Sequence, residues 1–186
     1  MMGVHFAKVV SCVSEETQGI EDPAEHVRVL SRRKAEEAAR GLSSGLVIGA
    51  DTVVEIDGDI LQKPKDEEDA VRMLLRLEGR THRVFTGITL VDSETGAGLT
   101  DVVCTRVTMR SAPEVEIREY VSTGEPMDKA GAYAAQGLAA CFIERVEGCF
   151  FNVVGLPLAR LWQMLEQMSC NLWEMRRDGA AARGAS

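Results

Sequence analysis

The 186-residue sequence lacks several features that would have assigned it at once to a class of protein. Its five cysteines form no C-x-x-C pair and stand alone, at Cys12, Cys104, Cys141, Cys149 and Cys170. Scattered cysteines in an odd number argue against a disulfide framework or a zinc site, and they suit a reducing compartment. No run approaches the roughly 18 apolar residues that a membrane-spanning helix needs, and the first residues do not match a signal peptide. These absences predict a cytoplasmic protein.

An excess of positive charge is also missing. Lys and Arg number 21 against 29 Asp and Glu, so the formal net charge is -8. Proteins that coat nucleic acid or an anionic membrane need a broad positively charged surface, so neither is an expected partner. A small anionic ligand held by a few lysines is still compatible with this balance. With 45% hydrophobic and 27% charged residues, the composition is that of one ordinary globular domain.

Apolar periodicity and turn residues predict an α/β domain in which helices flank a mixed sheet. The clearest helix runs from Pro23 to about Arg40, with Asp22 as its N-cap and Gly41 at its end. Further helices are predicted from Asp66, after a capping box at 111–114, and from Pro157.

Alternating or continuous apolar runs between these helices predict the strands. They cover residues 4–13, 46–56, 82–91, 99–109, 138–146 and 149–154, with 82–91 and 99–109 joined as a hairpin. The folded domain is expected to occupy residues 1–168. Residues 169–186 have no periodicity and are expected to form a flexible tail.

Asp51 is the residue that most strongly suggests chemistry. It lies between Leu46–Ala50 and Val53-Val54, two apolar runs typical of a buried strand. An ionised carboxylate in such a place is costly unless a cation or a metal compensates it. Asp51 is therefore either a polar residue that caps a neighbouring backbone group, or a metal ligand or general base.

A lysine follows Asp51 after a short connection. Pro64 disfavours helical backbone at Lys63 and holds it extended. A carboxylate and an ammonium placed a hairpin apart suit a phosphate and its divalent ion, because the lysine offsets charge on the transferred group. The alternative is that Lys63 is an ordinary solvated side chain. Lys34 lies at the border of the first helix's apolar face, where the usual interpretation is a lysine whose stem covers apolar surface while its ammonium stays in water. Glu15, in the turn after the first strand, is by itself interpreted as ordinary surface charge.

Five short motifs occur along the chain in a fixed order. They are Ala50-Asp51-Thr52-Val53-Val54, Leu61-x-Lys63-Pro64, the segment from Gly79 to Gly87, the segment from Gly124 to Tyr133, and the segment from Asn152 to Leu158. Together they resemble the Maf family of nucleoside triphosphate pyrophosphatases, over about residues 6–168. The resemblance implies a fold similar to that of the inosine triphosphate pyrophosphatases, with two lobes around a cleft.

The resemblance also implies a reaction and its residues. A nucleoside triphosphate would be cleaved between its α and β phosphates, giving the monophosphate and pyrophosphate, with help from Mg2+ or Mn2+. Asp51 matches the catalytic aspartate that holds metal and activates water, and Glu15 matches a second metal-associated carboxylate. Lys34 and Lys63 match the two phosphate-facing lysines.

Two further positions and the assembly are implied in the same way. Thr52 and Gln136 match positions linked to base choice in the branch that prefers dTTP and UTP. A homodimer is expected by resemblance. His82 gains no catalytic role from the comparison and is interpreted as structural.

One feature of the family is missing from this sequence. Family members open with a strand and a Ser-x-Ser-Pro-Arg-Arg turn that cradles the triphosphate, and no such segment occurs here. Arg32 and Arg33 do not replace it, because they align with the helix that carries Lys34. Three hypotheses follow: an active pyrophosphatase, a catalytically impaired nucleotide-binding or regulatory protein, or a sequence that begins within a longer reading frame.

Overall fold

The centre of the fold is a sheet of five strands, seen in a computed structural model that describes residues 4, 6–14, 19–171, 173 and 174. The strands are β1 (Leu46–Ile56), β2 (Asp59–Leu61), β3 (Thr81–Asp92), β4 (Gly98–Met109) and β5 (Ile143–Glu147). They lie side by side in the order β2-β1-β3-β4-β5.

Helices cover both faces of this sheet. They are α1 (Pro23–Arg40), α2 (Glu67–Leu77), α3 (Glu114–Ser122), α4 (Phe150–Val154) and α5 (Leu158–Gln167), and short 3-10 turns connect α3 to β5. The predicted α/β class with flanking helices is confirmed. Within the described residues, no helix is both long enough and apolar enough to cross a membrane.

All four pairings between the described strands are antiparallel, so the sheet is not mixed as predicted. A parallel pair needs a crossover connection of a dozen residues or so. Here β1 and β2 are joined by Asp57-Gly58 alone, and β3 and β4 by the hairpin loop at 93–97. Helix α2 does span a longer connection, but β3 returns beside β1 in the opposite direction.

Helix α1 packs against one face of the sheet at unusually short distance. Both of its ends agree with the prediction, since Asp22 accepts a hydrogen bond from the Glu25 amide at 3.2 Å and the helix ends at Arg40. A Cβ atom at Gly87 would lie 2.2 Å from the Val27 carbonyl oxygen, so there is no room for a side chain at this position. A Cβ atom at Gly49 would meet the helix backbone in the same way. The two glycines therefore let α1 lie directly on β1 and β3.

The other face of the sheet holds most of the core. Side chains alternate along β3, so Val84, Ile88 and Leu90 point away from α1. Val84 packs with α2 and α3 in the largest cluster of buried residues. Ile88 and Leu90 pack instead against Leu161, Met164 and Leu165 of α5.

Residues 149–154 were predicted as a strand, and the prediction is wrong: Cys149 is the N-cap of a helix, and the residues after it form α4. Phe and Val favour strands, but the buried Asn152 side chain fixes this segment by tertiary contacts. Its Nδ2 group donates to the Val84 carbonyl at 3.0 Å and to the Thr105 hydroxyl at 3.1 Å. Gly148 and Gly155 bracket the helix with φ angles of 127° and 114°, a left-handed backbone that suits glycine.

Three other local predictions are wrong. The described residues of 4–13 form no strand, and Phe6 and Val10 are 86% and 80% exposed, because no described strand pairs with them. The strand predicted at 138–146 is a 3-10 turn up to Phe142 and only then β5. The capping box at 111–114 does not form, since the Ser111 hydroxyl donates to the Glu78 carboxylate at 2.9 Å instead.

The segment predicted as a flexible tail, 169–186, is described only in part. Residues 169–171, 173 and 174 turn back towards α5, where Trp173 packs against Trp162. The rest of that segment lies outside the described residues.

Candidate active site

A cleft of about 280 Å³ opens beside β1. Among the described strands, β2 pairs only with the last three residues of β1, Val54 to Ile56, so the edge of β1 before them is uncovered. The walls of the cleft come from α1 on one side and from α4 and the loop at 128–133 on the other. The part of β1 that β2 does not cover thus forms the floor of the cleft.

Strand geometry distributes the side chains of β1 between the two walls. Successive residues of a strand point to opposite faces, so Asp51 and Thr52 diverge. Asp51 meets Lys34 of α1, whereas Thr52 meets Thr86 on the face that carries α4. The cleft therefore has one wall with a charged pair and another with a chain of hydroxyl groups.

The charged pair is short and largely shielded from water. Lys34 Nζ lies 2.7 Å from Asp51 Oδ1, and the two side chains are 21% and 10% exposed. Each charge compensates the other, which removes much of the penalty of placing Asp51 in an apolar strand. The close packing of α1 at Gly49 and Gly87 sets this distance, since Lys34 and Asp51 lie on the two elements it joins.

A second group of charges lies at the end of β2. Lys63 is exposed and lines the cleft, and Pro64 behind it is buried. The loop at 128–133 is tied to this point by a hydrogen bond from Gly131 N to Gln62 O at 3.0 Å.

This loop adds two charged residues to the cleft that the sequence had not singled out. They are Asp128 and Lys129, with Lys129 Nζ 2.7 Å from Asp128 Oδ1. That hydrogen bond lowers the pKa of Asp128 below its usual range, and the charge on Lys63 makes a smaller contribution in the same direction. The signal was available, since both residues belong to the Gly124 to Tyr133 motif, but no spacing argument separated them from their neighbours.

The hydroxyl groups on the second wall have a defined direction. Thr86 Oγ1 donates its single proton to the Asn152 carbonyl oxygen at 3.1 Å. Thr86 must therefore accept in its 2.9 Å contact with Thr52, and Thr52 is the donor. With its own proton used, the Thr52 hydroxyl presents only lone pairs to the cleft, which it lines.

Tyr133 lines the cleft in front of a buried histidine, and sequence reasoning missed this role too. Its hydroxyl lies 2.8 Å from His82 Nε2, with the rings edge to face. Burial lowers the pKa of His82 to about 4 and raises the pKa of Tyr133 above its usual range. His82 is accordingly a neutral residue that supports Tyr133 from behind, in agreement with the structural interpretation.

The structure brings Lys34, Asp51, Thr52 and Lys63 into one cleft, and Gln136 is the described predicted residue that it does not place there. Gln136 is exposed and is not among the residues that line the cleft. It sits in a tight turn closed by Gly137 N to Ala134 O at 3.0 Å. Glu15 lies outside the described residues.

The carboxylates that face the cleft determine which metal site is feasible. Within the described residues, no group of three or more His, Cys, Asp or Glu side chains could enclose a metal ion. The cleft nevertheless has two carboxylates, Asp51 and Asp128. Mg2+ is commonly held by one or two carboxylates together with substrate phosphates. The donor set therefore fits an ion shared with a phosphate ligand rather than one enclosed by protein.

Comparison with known proteins gives a consistent result. A family model described as Maf-like protein matches residues 1–168. The dTTP/UTP pyrophosphatase of Pelotomaculum thermopropionicum is 49% identical over 171 residues, which make up 92% of this chain and 90% of that protein. Those of Syntrophomonas wolfei and Dictyoglomus thermophilum are 42% and 44% identical, over 92% of this chain and 90% and 89% of their own lengths. The range that the family model matches includes every residue that lines the cleft.

Proposed function

This chain belongs to the Maf family, and we propose that it hydrolyses nucleoside triphosphates, dTTP and UTP above others, to the monophosphate and pyrophosphate. The observation that carries the proposal is the Lys34–Asp51 pair, 2.7 Å apart on the wall of a cleft that Lys63 also lines. The activity in the names of the three relatives supports it. Nothing in the described residues favours the alternative of an impaired regulatory protein.

The lysines supply the electrostatic part of the proposed mechanism. Lys34, Lys63 and Lys129 line the cleft and can donate to the oxygens of a triphosphate. Negative charge grows on these oxygens as the phosphoanhydride bond breaks, so fixed ammonium groups stabilise the transition state more than the bound substrate.

Asp51 is the proposed general base. Its carboxylate accepts a proton from an attacking water, whose oxygen bonds to the α phosphorus in line with the departing oxygen. The α–β phosphoanhydride bond breaks, the electron pair leaves with pyrophosphate, and the proton passes to Asp51. Lys34 keeps the carboxylate oriented until the substrate binds, because its contact fixes one of the two oxygens.

We include Mg2+ or Mn2+ in the proposal, held by Asp51 together with oxygens of the substrate. Glu15, outside the described residues, is proposed by resemblance as a further carboxylate for this ion. When bound, such an ion neutralises phosphate charge and makes water more acidic.

Base choice is proposed to depend on Thr52. Thymine and uracil carry an N–H group at ring position 3, whereas cytosine carries a lone pair there. Because Thr52 presents only lone pairs to the cleft, it can accept from the first two bases and repels the third. Gln136 is kept as a proposed second determinant by resemblance alone. A homodimer is proposed on the same ground, and the five free cysteines support the proposal of a cytoplasmic enzyme.

The experiment that tests this function is an analysis of products. The full chain is incubated with dTTP, UTP, CTP or GTP and with Mg2+ or Mn2+, and phosphorus NMR separates pyrophosphate from orthophosphate. We expect one pyrophosphate for each monophosphate formed, fastest with dTTP or UTP. Release of orthophosphate and a nucleoside diphosphate would contradict the proposed bond, and binding without turnover would support the impaired alternative.

A further inference from the structure

A second cavity, of about 340 Å³, lies beside the C-terminal end of α5. Both tryptophans of the chain, Trp162 and Trp173, line it. Their ring centroids are 5.3 Å apart and their planes meet at 65°, so the two indoles form a corner. The residues that line this cavity and those that line the cleft are different sets, and the mechanism assigns the cavity no role.

A strained turn holds Trp173 in this corner. Ser169, just after α5, has a φ angle of 58°, which is uncommon for a residue with a side chain. The two bonds of a Schellman motif are present, from Ser169 N to Glu166 O at 3.0 Å and from Cys170 N to Leu165 O at 2.9 Å. The chain thus reverses directly after the helix, and the reversal is fixed by backbone bonds as well as by ring packing.

Three of the polar side chains that line the cavity, those of Trp162, Glu166 and Asn171, already make hydrogen bonds. Trp162 Nε1 donates to Glu166 Oε1 at 2.8 Å. Asn171 accepts from Trp173 N at 3.0 Å and donates to Glu174 Oε1 at 3.2 Å. A guest that needs several hydrogen bonds would find few partners here. The negative charge of Glu166 nevertheless remains at the wall, and none of the described lining residues is a lysine or an arginine.

We propose that this cavity binds an organic cation of the trimethylammonium class. Indole faces attract a cation through the ring quadrupole, and tryptophan does so best among the aromatic residues. The methyl groups of such a cation can contact both indoles and Leu165, while Glu166 balances the charge. A lysine ammonium is a poorer guest, since it is strongly hydrated and brings three donors that the cavity does not satisfy. This inference is independent of the proposed pyrophosphatase activity.

Intrinsic fluorescence tests the proposal directly. Trp162 and Trp173 are the only tryptophans in the chain, so emission on excitation at tryptophan wavelengths reports on this cavity alone. The full-length protein is titrated with choline at constant ionic strength, and in parallel with 3,3-dimethylbutan-1-ol, which has the same shape without the charge. We expect a saturable change with choline, and binding of the neutral alcohol weaker by about fivefold or more.

Variants separate a cation site from a nonspecific apolar crevice. Glu166→Gln keeps an oxygen that can accept from Trp162, and we expect it to weaken choline binding severalfold without affecting the alcohol. Trp173→Leu removes one wall and should weaken choline by about fivefold or more. Glu144→Gln, an exposed carboxylate on β5, is the matched control and should change nothing. Equal responses to choline and the alcohol, no saturable response, or choline binding untouched by Glu166→Gln would overturn the proposal, even if Trp173→Leu fails to fold.

Discussion

Lys34 Nζ lies 2.7 Å from Asp51 Oδ1, and this contact joins helix α1 to strand β1 at the cleft. Both side chains are mostly buried, and each charge compensates the other. Removing one partner of a buried pair costs more stability than the pair itself contributes, because the remaining charge loses that compensation. The placement of α1 on β1 therefore matters for the fold and for the proposed chemistry together.

The packing that sets this placement is open to test at Gly87. In Gly87→Ala the new methyl group would collide with the Val27 backbone, so α1 must move away from the sheet. We expect the free energy of unfolding in urea to fall by about 1–3 kcal/mol and pyrophosphate release to fall with it. Gly41→Ala is the control, because its methyl group would lie 3.8 Å from the nearest atom. Equal stability of the two variants would show that the helix does not depend on this glycine.

Two lysines that flank Pro64 provide a matched pair for the phosphate contact. Lys63 and Lys65 are both exposed, but only Lys63 lines the cleft. We expect Lys63→Met to lower kcat/KM for UTP by about tenfold to a hundredfold, since one donor to the transition state is lost. Lys65→Met should stay within about twofold of the wild type by the same reasoning. Similar losses in both variants would mean that general positive charge, and not a positioned ammonium, is what matters.

Thr86 does not line the cleft, but it should affect base choice through its hydrogen bond with Thr52. Without the Thr86 hydroxyl, Thr52 regains a free proton and can donate as well as accept. We expect Thr86→Val to lower the ratio of kcat/KM for UTP to that for CTP by about fivefold, roughly the effect of one hydrogen bond. Thr89→Val is the control, because Thr89 is also buried on β3 and bonds to Ser31 and Thr100 on the other face. An unchanged ratio in Thr86→Val would contradict the direction assigned to this hydroxyl chain.

Stability should depend on pH through His82. Burial lowers the pKa of His82 from about 6.5 to about 4, so between these values the unfolded chain binds a proton that the folded chain does not. The free energy of unfolding therefore falls as the pH decreases from 6.5 towards 4, by about 2 kcal/mol at pH 5. Above 6.5 this contribution is fully present.

The measurement is urea unfolding of the wild type and His82→Phe at pH 7.5 and pH 5. We expect a smaller loss of stability in the variant across this interval, because its side chain does not titrate. Glu55, the charged neighbour that acts on His82, does not confuse the comparison, because hydrogen bonding from Arg83 lowers the pKa of Glu55 below its usual range and keeps it ionised. The same loss in both proteins would show that His82 is not the linked group.

Local signals predicted the elements whose ends are fixed by neighbours in sequence. Helix α1 has a capping Asp22, Pro23 at its first position and Gly41 at its end, and both ends agreed with the prediction. Residues 150–154 could not be predicted in this way. Their helix depends on contacts of Asn152 with Val84 and Thr105, which are far away in sequence and become neighbours only after the sheet has formed.

The residues of the candidate site also differ in whether local sequence or tertiary contacts reveal them. Asp51 could be proposed as a candidate because a carboxylate between two apolar runs is conspicuous, and Lys63 because it follows after a short connection and precedes a proline; the family resemblance then favoured a functional role for both. Lys129 and Tyr133 belong to one of the five motifs but could not be separated from their neighbours in sequence, since the loop that carries them reaches the cleft through the bond from Gly131 to Gln62. The direction of the Thr52 hydroxyl follows from three-dimensional contacts alone.

The central claim is that Asp51 performs chemistry in this cleft, and pyrophosphate release from UTP tests it most directly. The controls are Asp57→Asn, an exposed carboxylate paired with Arg80, and Cys141→Ser, at an exposed cysteine. We expect Asp51→Asn to reduce kcat by about a hundredfold or more and both controls to stay within about twofold of the wild type. Wild-type release no greater than that of Asp51→Asn, or an equal loss in the controls, would contradict this account.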